Sequence, residues 1–345
     1  MRVLHCPTVV GGNAWALSRA ERKLGIESDL VIFKSNWLNY KYDKNLHLEK
    51  YYLPHNIIKL LLFFRNAINH YDVFHFNFGR SIIDYPYLLD YFDLPILKRK
   101  NKKIIMTFQG CDARVKTYCK DCFDISACIE CENSWCGPKD DKKVNRLKKA
   151  ESLTDQIFVL NPDLMYHFSN PKLMLYSSVD LDEWKSVKSA PNKKIKILHA
   201  PSNRSIKGTK YVIDVCNSLN RGGFENELVL LENIPHDQVK DYYLKSDIVI
   251  DQLLCGWYGG FAVEAMAMEK PVISYLRKDD LDKFVPFKDE IPIINSTKDS
   301  LYDILIPLIE KDSLRRKKGK EGRRYVEKYH DPNKIAKNLI DNYYS

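Results

Sequence analysis

No stretch of this chain stays apolar for the roughly 20 residues that crossing a bilayer requires, which excludes a membrane-spanning helix. The opening residues, Met1-Arg-Val-Leu-His-Cys-Pro7, enter a strand pattern directly, without the basic, apolar and small-residue regions of a secretion signal. The chain therefore reads as cytoplasmic, and its nine cysteines as thiols or metal ligands rather than disulfides. It also lacks a recognisable DNA-reading helix or RNA-binding sheet motif, and its aromatics do not interleave with its cations. That argues against a nucleic-acid partner despite a formal charge of +9.

What is present suits a globular protein of more than one domain. The 345 residues can bury two full cores, and 45% apolar with 29% charged residues is an ordinary soluble balance. The positive charge favours anionic partners: a nucleoside diphosphate, a lipid-linked acceptor or an anionic membrane surface. Its local runs, Leu97-Lys-Arg-Lys-Asn-Lys-Lys103 and Arg315-Arg-Lys-Lys318, are of the kind that usually form solvated faces. Peripheral contact with an inner membrane face would fall to the Lys98–Lys103 turn.

Hydrophobic periodicity predicts strands alternating with helices in both halves, hence an α/β fold of two doubly wound, Rossmann-like domains. Strands are predicted at 2–6, 30–33, 71–76, 103–108 and 156–160, then at 194–200, 227–231, 247–250 and 291–294. The run Asn56-Ile-Ile-Lys-Leu-Leu-Leu-Phe-Phe-Arg65 predicts a mostly buried helix. A polar stretch places a linker over 177–193 between domains 1–176 and 194–331. Ligands of such folds bind at the carboxyl ends of the strands, which puts a cleft between two facing domains.

Five cysteines crowd into the first half: Cys119-Lys-Asp-Cys122, Cys128-Ile-Glu-Cys131 and Cys136. Two C-x-x-C pairs so close together are the spacing of a tetrahedral Zn²⁺ site. The predicted ligands are Cys119, Cys122, Cys128 and Cys131, with Cys136 as alternate, in an insertion of the first domain over about 111–140. Four thiolates leave zinc no open position, so this metal would be structural. An iron–sulfur cluster and a thiol switch are the alternatives.

The segment 247–274 orders a β-branched run, a glycine-containing loop from Gly256 to Gly260, and a helix ended by Pro271. Strand, loop and helix start aim the N–H groups of Gly259, Gly260 and Phe261 at an anion. Glu264, one turn on, could reach a ribose beside it. A second candidate, His199-Ala-Pro-Ser-Asn-Arg-Ser-Ile-Lys-Gly-Thr-Lys210, offers Arg204 and Lys207 as phosphate-gripping cations and Gly208 at a helix start. By residue type alone it is equally an exposed loop with two solvated cations. The nucleotide base would lie near Ile234, Pro235 and His236, after the next strand.

Tyr258-Gly-Gly-Phe-Ala-Val-Glu-Ala-Met-Ala-Met-Glu-Lys-Pro-Val-Ile273 resembles the donor-binding segment of retaining GT-B glycosyltransferases of the family 4 type (group 1). Ser202-Asn-Arg-Ser-Ile-Lys-Gly208 is similar to that family's diphosphate segment, and Val179-Asp-Leu-Asp-Glu-Trp184 to its interdomain crossing. The resemblance implies a hexosyl transfer from a nucleotide-diphosphate sugar to a carbohydrate or lipid-linked acceptor. Donor contacts would come from Arg204, Lys207, Gly208, Tyr258, Gly259, Gly260, Phe261 and Glu264, and from the Gly11-Gly12 loop. It also implies a final helix, 332–345, returning to the first, acceptor-side domain.

The chain departs from the family at two points: Gly256 replaces the first of two glutamates, and Gln109 replaces a histidine. Gln109 can hydrogen-bond but cannot move a proton, which leaves Asp112 or His75 for acid–base help. No Asp-x-Asp pair stands where a catalytic cation would be expected, so no catalytic metal is predicted. The alternatives are a GT-B-like sugar-nucleotide epimerase and, from charge and cysteines, a zinc-containing nucleic-acid-binding protein.

Overall fold

The computed structural model describes residues 1–345 apart from 36, 51, 133–138, 187–192 and 345. It divides into two compact units, Met1–Val115 with Ser134–Ser178 and Pro332–Ser345, and Lys116–Asn133 with Val179–Asp331.

The first unit is built on seven strands: β1 (Arg2–Cys6), β2 (Glu27–Ile32), β3 (Lys44–Asn45), β4 (Val73–Asn77), β5 (Lys103–Phe108), β6 (Gln156–Val159) and β7 (Lys172–Leu173). All pair in parallel, in the order β3-β2-β1-β4-β5-β6-β7. A parallel sheet is covered on both faces, which is why Val3, Leu4, Phe74, Phe76, Ile104, Ile105 and Met106 are all buried in unbroken runs. The order reverses between β1 and β4, the place where such sheets open a crevice at their carboxyl ends.

A buried polar network pins the last helix, Pro332–Tyr343, to this sheet. The Tyr344 hydroxyl donates to Glu21 (2.6 Å) and lies 3.1 Å from His75 Nδ1, while His75 Nε2 is 2.7 Å from the Thr107 hydroxyl. Glu21 also takes Ser28 (2.6 Å) and His5 (2.9 Å). Burial, with His5 beside it, holds the His75 imidazole well below its usual pKa. Its neutral form satisfies the chain by donating from Nδ1 and accepting at Nε2. Tyr344→Phe leaves a buried carboxylate and a buried imidazole each short of a partner. It is expected to destabilise the protein by about 1–3 kcal/mol, read from denaturant unfolding. An unchanged midpoint would show the network to be dispensable.

The helix predicted over 56–65 as mostly buried needs correction. It runs Leu53–His70, and along it only Leu60, Phe64 and Ala67 are buried. Ile57, Ile58, Leu61 and Leu62 are exposed. The run Leu60-Leu-Leu-Phe-Phe64 is apolar on every side, so its pattern carried no information about which face would be covered.

The second unit has five parallel strands: β8 (Ile195–His199), β9 (Asn226–Leu230), β10 (Ile248–Ile250), β11 (Val272–Ser274) and β12 (Ile294–Asn295), ordered β12-β11-β10-β8-β9. Ile197, Ile248, Ile250 and Ile273 from the strands pack with Val212, Leu219, Leu301, Leu305 and Leu308 from the helices. Here the order reverses between β8 and β10. The predicted linker is partly structured: Val179 and Trp184 are buried, and the Trp184 and Leu181 carbonyls accept from Arg323. Residues 187–192 of it lie outside the described residues.

Of the cysteine-rich segment expected over about 111–140, Lys116–Asn133 groups with the second unit. Its short helices, Lys116–Cys122 and Ala127–Glu130, are held by side chains of that unit. Ala127 packs on Leu254 and Cys255. The Glu130 carboxylate receives the Tyr211 hydroxyl (2.6 Å) and the Lys210 ammonium (3.1 Å). Arg277 donates to the Ile125 carbonyl (2.9 Å) and stacks 3.7 Å over the Phe123 ring.

The predicted zinc centre is likewise not supported. Among the described residues no three His, Cys, Asp or Glu side chains come together to hold a metal. Cys119 is buried on its helix, Cys122 exposed, and Cys128 and Cys131 half-buried. Cys136, the alternate ligand, lies outside the described residues. Cys119 and Cys122 lie on the first of these helices, Cys128 on the second and Cys131 just past its end, and proximity in sequence does not bring the two pairs onto one point.

Candidate functional site

The second unit's sheet reverses between β8 and β10, so the residues following those strands share one crevice. After β8, the Asn203 side chain accepts from the amide of Ile206 (3.1 Å) and starts a single helical turn, Arg204–Lys207. Gly208 ends the turn with φ 76°, packed against Leu253 and Leu254, where a side chain would be both strained and crowded. His199, at the end of β8, lies 2.8 Å from the Ile250 carbonyl and 2.9 Å from the Thr209 hydroxyl. Burial pushes its imidazole down to about 4, so it ties the two strands together as a neutral group.

After β10 comes Asp251, whose side chain is 1% exposed. One carboxylate oxygen accepts from Lys207 Nζ (2.9 Å), the other from the amide of Gly259 (2.6 Å). Lys207 also donates to Gln252 Oε1 (2.6 Å). The ammonium therefore sits beside the start of the Gly260–Ala267 helix: a Cβ on Gly259 would lie 3.5 Å from Lys207 Nζ. Two of its three N–H groups are used, leaving one for a ligand. The amides of Gly260 and Phe261 are among those a helix start cannot satisfy within itself.

Arg204 does not join this group in the structure. It is 56% exposed and forms a two-pronged ion pair with Glu232, at 2.7 and 2.5 Å. That arrangement uses Nε and Nη2 and leaves Nη1 available.

Glu264 is buried within the second turn of the helix region and binds two partners. His236 Nε2 is 2.6 Å from one oxygen, and the Tyr243 hydroxyl donates to the other at 2.8 Å. The Trp184 ring lies 5.7 Å from His236 and 5.8 Å from Tyr243. His236, expected with Ile234 and Pro235 to line the base, is a direct partner of Glu264. The carboxylate keeps lone pairs for a further donor.

The Tyr258 side chain is engaged within the second unit. It is fully buried, with its hydroxyl 2.8 Å from Tyr325 and 2.9 Å from His330. Gly256 has φ 77°, and a Cβ there would meet the Arg277 guanidinium at 2.7–3.0 Å. Arg277, paired with Asp280 at 2.6 Å, thus fills the space beside that glycine.

In the first unit, Gly11 (φ 67°) and Gly12 (φ 71°) lead from β1 into the Asn13–Lys23 helix. His75 and Asp112, expected to serve acid–base chemistry, make hydrogen bonds within the first unit. His75 is buried in the polar network already described. The Asp112 carboxylate accepts the amides of Gln109 (2.9 Å) and Gly110 (2.6 Å), shaping the loop after β5. Burial raises its carboxyl to about 6 against those amides, which favour the ionised form. Gln109 is nearly buried, and its Nε2 has no hydrogen-bond partner among the described residues.

Asp251, Gln252, Glu232, Tyr243 and Trp184 were not anticipated. Only Asp251 left a signal, as the polar residue ending an apolar strand in a parallel sheet.

No protein-family model matches the chain, and no curated protein matches it in sequence. Solved structures do match its fold. The sucrose-phosphate synthase of Thermosynechococcus elongatus aligns with TM-score 0.65 at 13% identity, over 99% of this chain and 98% of that one. Anabaena HepE in complex with UDP-glucose aligns with TM-score 0.61 at 10% identity, over 98% of each chain. The catalytic domain of Arabidopsis thaliana starch synthase IV, bound to ADP and acarbose, aligns with TM-score 0.56 at 11% identity, over 99% and 100%. With its two parallel α/β units, the chain has the GT-B fold.

Proposed function

We propose that the chain is a glycosyltransferase that takes its sugar from a nucleotide-diphosphate donor. One observation carries the reading: Lys207 and the Gly259 amide each bind one oxygen of the Asp251 carboxylate, which brings a cation and a helix start together at one anionic group. A donor diphosphate lies against the third N–H of Lys207 and the amides of Gly260 and Phe261, with Nη1 of Arg204 reaching it. Glu264, held by His236 and Tyr243, accepts from the ribose hydroxyls. That HepE is seen with UDP-glucose and starch synthase IV with ADP supports a nucleotide-linked donor.

Charge develops on the diphosphate as its bond to the anomeric carbon breaks, and preorganised donors stabilise that charge in the transition state. In the retaining course we favour, the acceptor oxygen bonds the anomeric carbon on the face the diphosphate leaves. The acceptor's proton passes to a departing phosphate oxygen, so no protein nucleophile takes part. The acceptor is a carbohydrate or a lipid-linked sugar bound by the first unit, with Gly11, Gly12 and Gln109 at the carboxyl ends of its strands.

A thermal-shift screen of nucleosides and their mono- and diphosphates tests the donor site. One diphosphate at about 100 times its Kd should stabilise the protein by about 2.7 kcal/mol, with the nucleoside far weaker. Stabilisation by oligonucleotides alone, with none by any diphosphate, would sink the reading.

A further inference from the structure

We infer that the outer face of the Leu53–His70 helix docks on an anionic phospholipid surface. The buried side of this 18-residue helix is fixed by Leu60, Phe64 and Ala67 and by the edge contact of Phe63 with Phe33 on the sheet side. Away from it, Ile57, Ile58, Leu61 and Leu62 form a continuous exposed patch one turn apart along the helix. Leu53 and Tyr52 extend the patch at the amino end, 59% and 74% exposed. Single exposed apolar residues are commonplace, but a contiguous patch on one element marks a contact surface.

The surrounding charge selects the occupant. Over residues 34–70 the sequence holds six cations, Lys34, Lys41, Lys44, Lys50, Lys59 and Arg65, against only Asp43 and Glu49, although the Lys59 ammonium donates to the Leu46 carbonyl (2.8 Å). Both acids are engaged within the unit, Asp43 with Arg19 and Arg22, and Glu49 with His47. From Lys50 to Tyr71 there is no acidic residue at all. The helix is too polar to cross a bilayer. An exposed apolar helix face, in a segment that carries Arg65 one turn past Leu61 and no acid from Lys50 to Tyr71, fits a helix lying in the headgroup region of an anionic membrane.

The test is cosedimentation of the full chain with vesicles of phosphatidylcholine alone and with vesicles containing about a third phosphatidylglycerol. Binding is expected to the anionic vesicles only and to weaken as salt is raised. The triple variant Ile58→Gln/Leu61→Gln/Leu62→Gln should lower that binding by about tenfold or more while leaving the circular dichroism spectrum unchanged. Its thermal shift with nucleoside diphosphates should match the wild type, so failure here is separable from failure of the donor reading. Absence of vesicle binding would overturn the inference, as would equal binding by the triple variant. A wild-type dimer in sedimentation velocity that the variant dissolves, without vesicle binding, would assign the face to a second copy instead.

Discussion

Replacing Lys207 by Gln is expected to lower kcat/KM by about 10²–10³-fold, the usual cost of removing one fixed donor from a developing oxyanion. Gln is the informative substitution because it removes the charge while retaining an N–H for Asp251 and Gln252. Truncation to Ala would leave Asp251 buried with only the Gly259 amide, and instability would then obscure the chemistry. The variant should also lose most of its thermal shift with the diphosphate that stabilises the wild type. Wild-type turnover, or an undiminished shift, would mean that the ammonium serves only to neutralise Asp251.

The largest expected effect on stability comes from a residue remote from any ligand. A Cβ at Gly319, on the Asp312–Tyr329 helix, would lie 1.9 Å from the Glu269 carbonyl oxygen, a backbone atom that cannot rotate away. One turn on, Gly322 faces Met266 in the same way, at 3.0–3.4 Å. These two glycines let the long helix lie directly on the Gly260–Ala267 helix. Alanine at 319 gains up to about 1 kcal/mol of helix propensity, but the overlap is the larger effect. Gly319→Ala should destabilise the second unit by about 3 kcal/mol or more. The displaced helix carries Glu264 and the Phe261 amide, so diphosphate affinity should fall as well. An unfolding transition at the wild-type midpoint would refute the packing argument.

Much of the architecture was legible because parallel strands leave a strong trace. β4, β5 and β10 are short apolar runs bounded by polar residues, and the glycine loop before the 260–267 helix names its own geometry. The 53–70 helix was misjudged for the converse reason: Leu60-Leu-Leu-Phe-Phe64 has no polar side, and only packing decides which part faces out. The partners of Glu264, His236 and Tyr243, and the Trp184 ring beside them were hidden because they converge from 21 to 80 residues away. The cysteine spacing pointed to a metal by local proximity alone, whereas side chains 81 and 152 positions downstream of their partners, Tyr211 and Arg277, hold that segment in place.

The interleaved chain also bears on synthesis. The first unit's sheet is complete once β7 has emerged, yet Glu21 and His75 must wait for the hydroxyl of Tyr344. The ribosome has by then made the whole second unit, so the half begun first is the last to close its interior. A release of the nascent chain before residue 344 would yield a protein with an intact second unit and an unfinished first one.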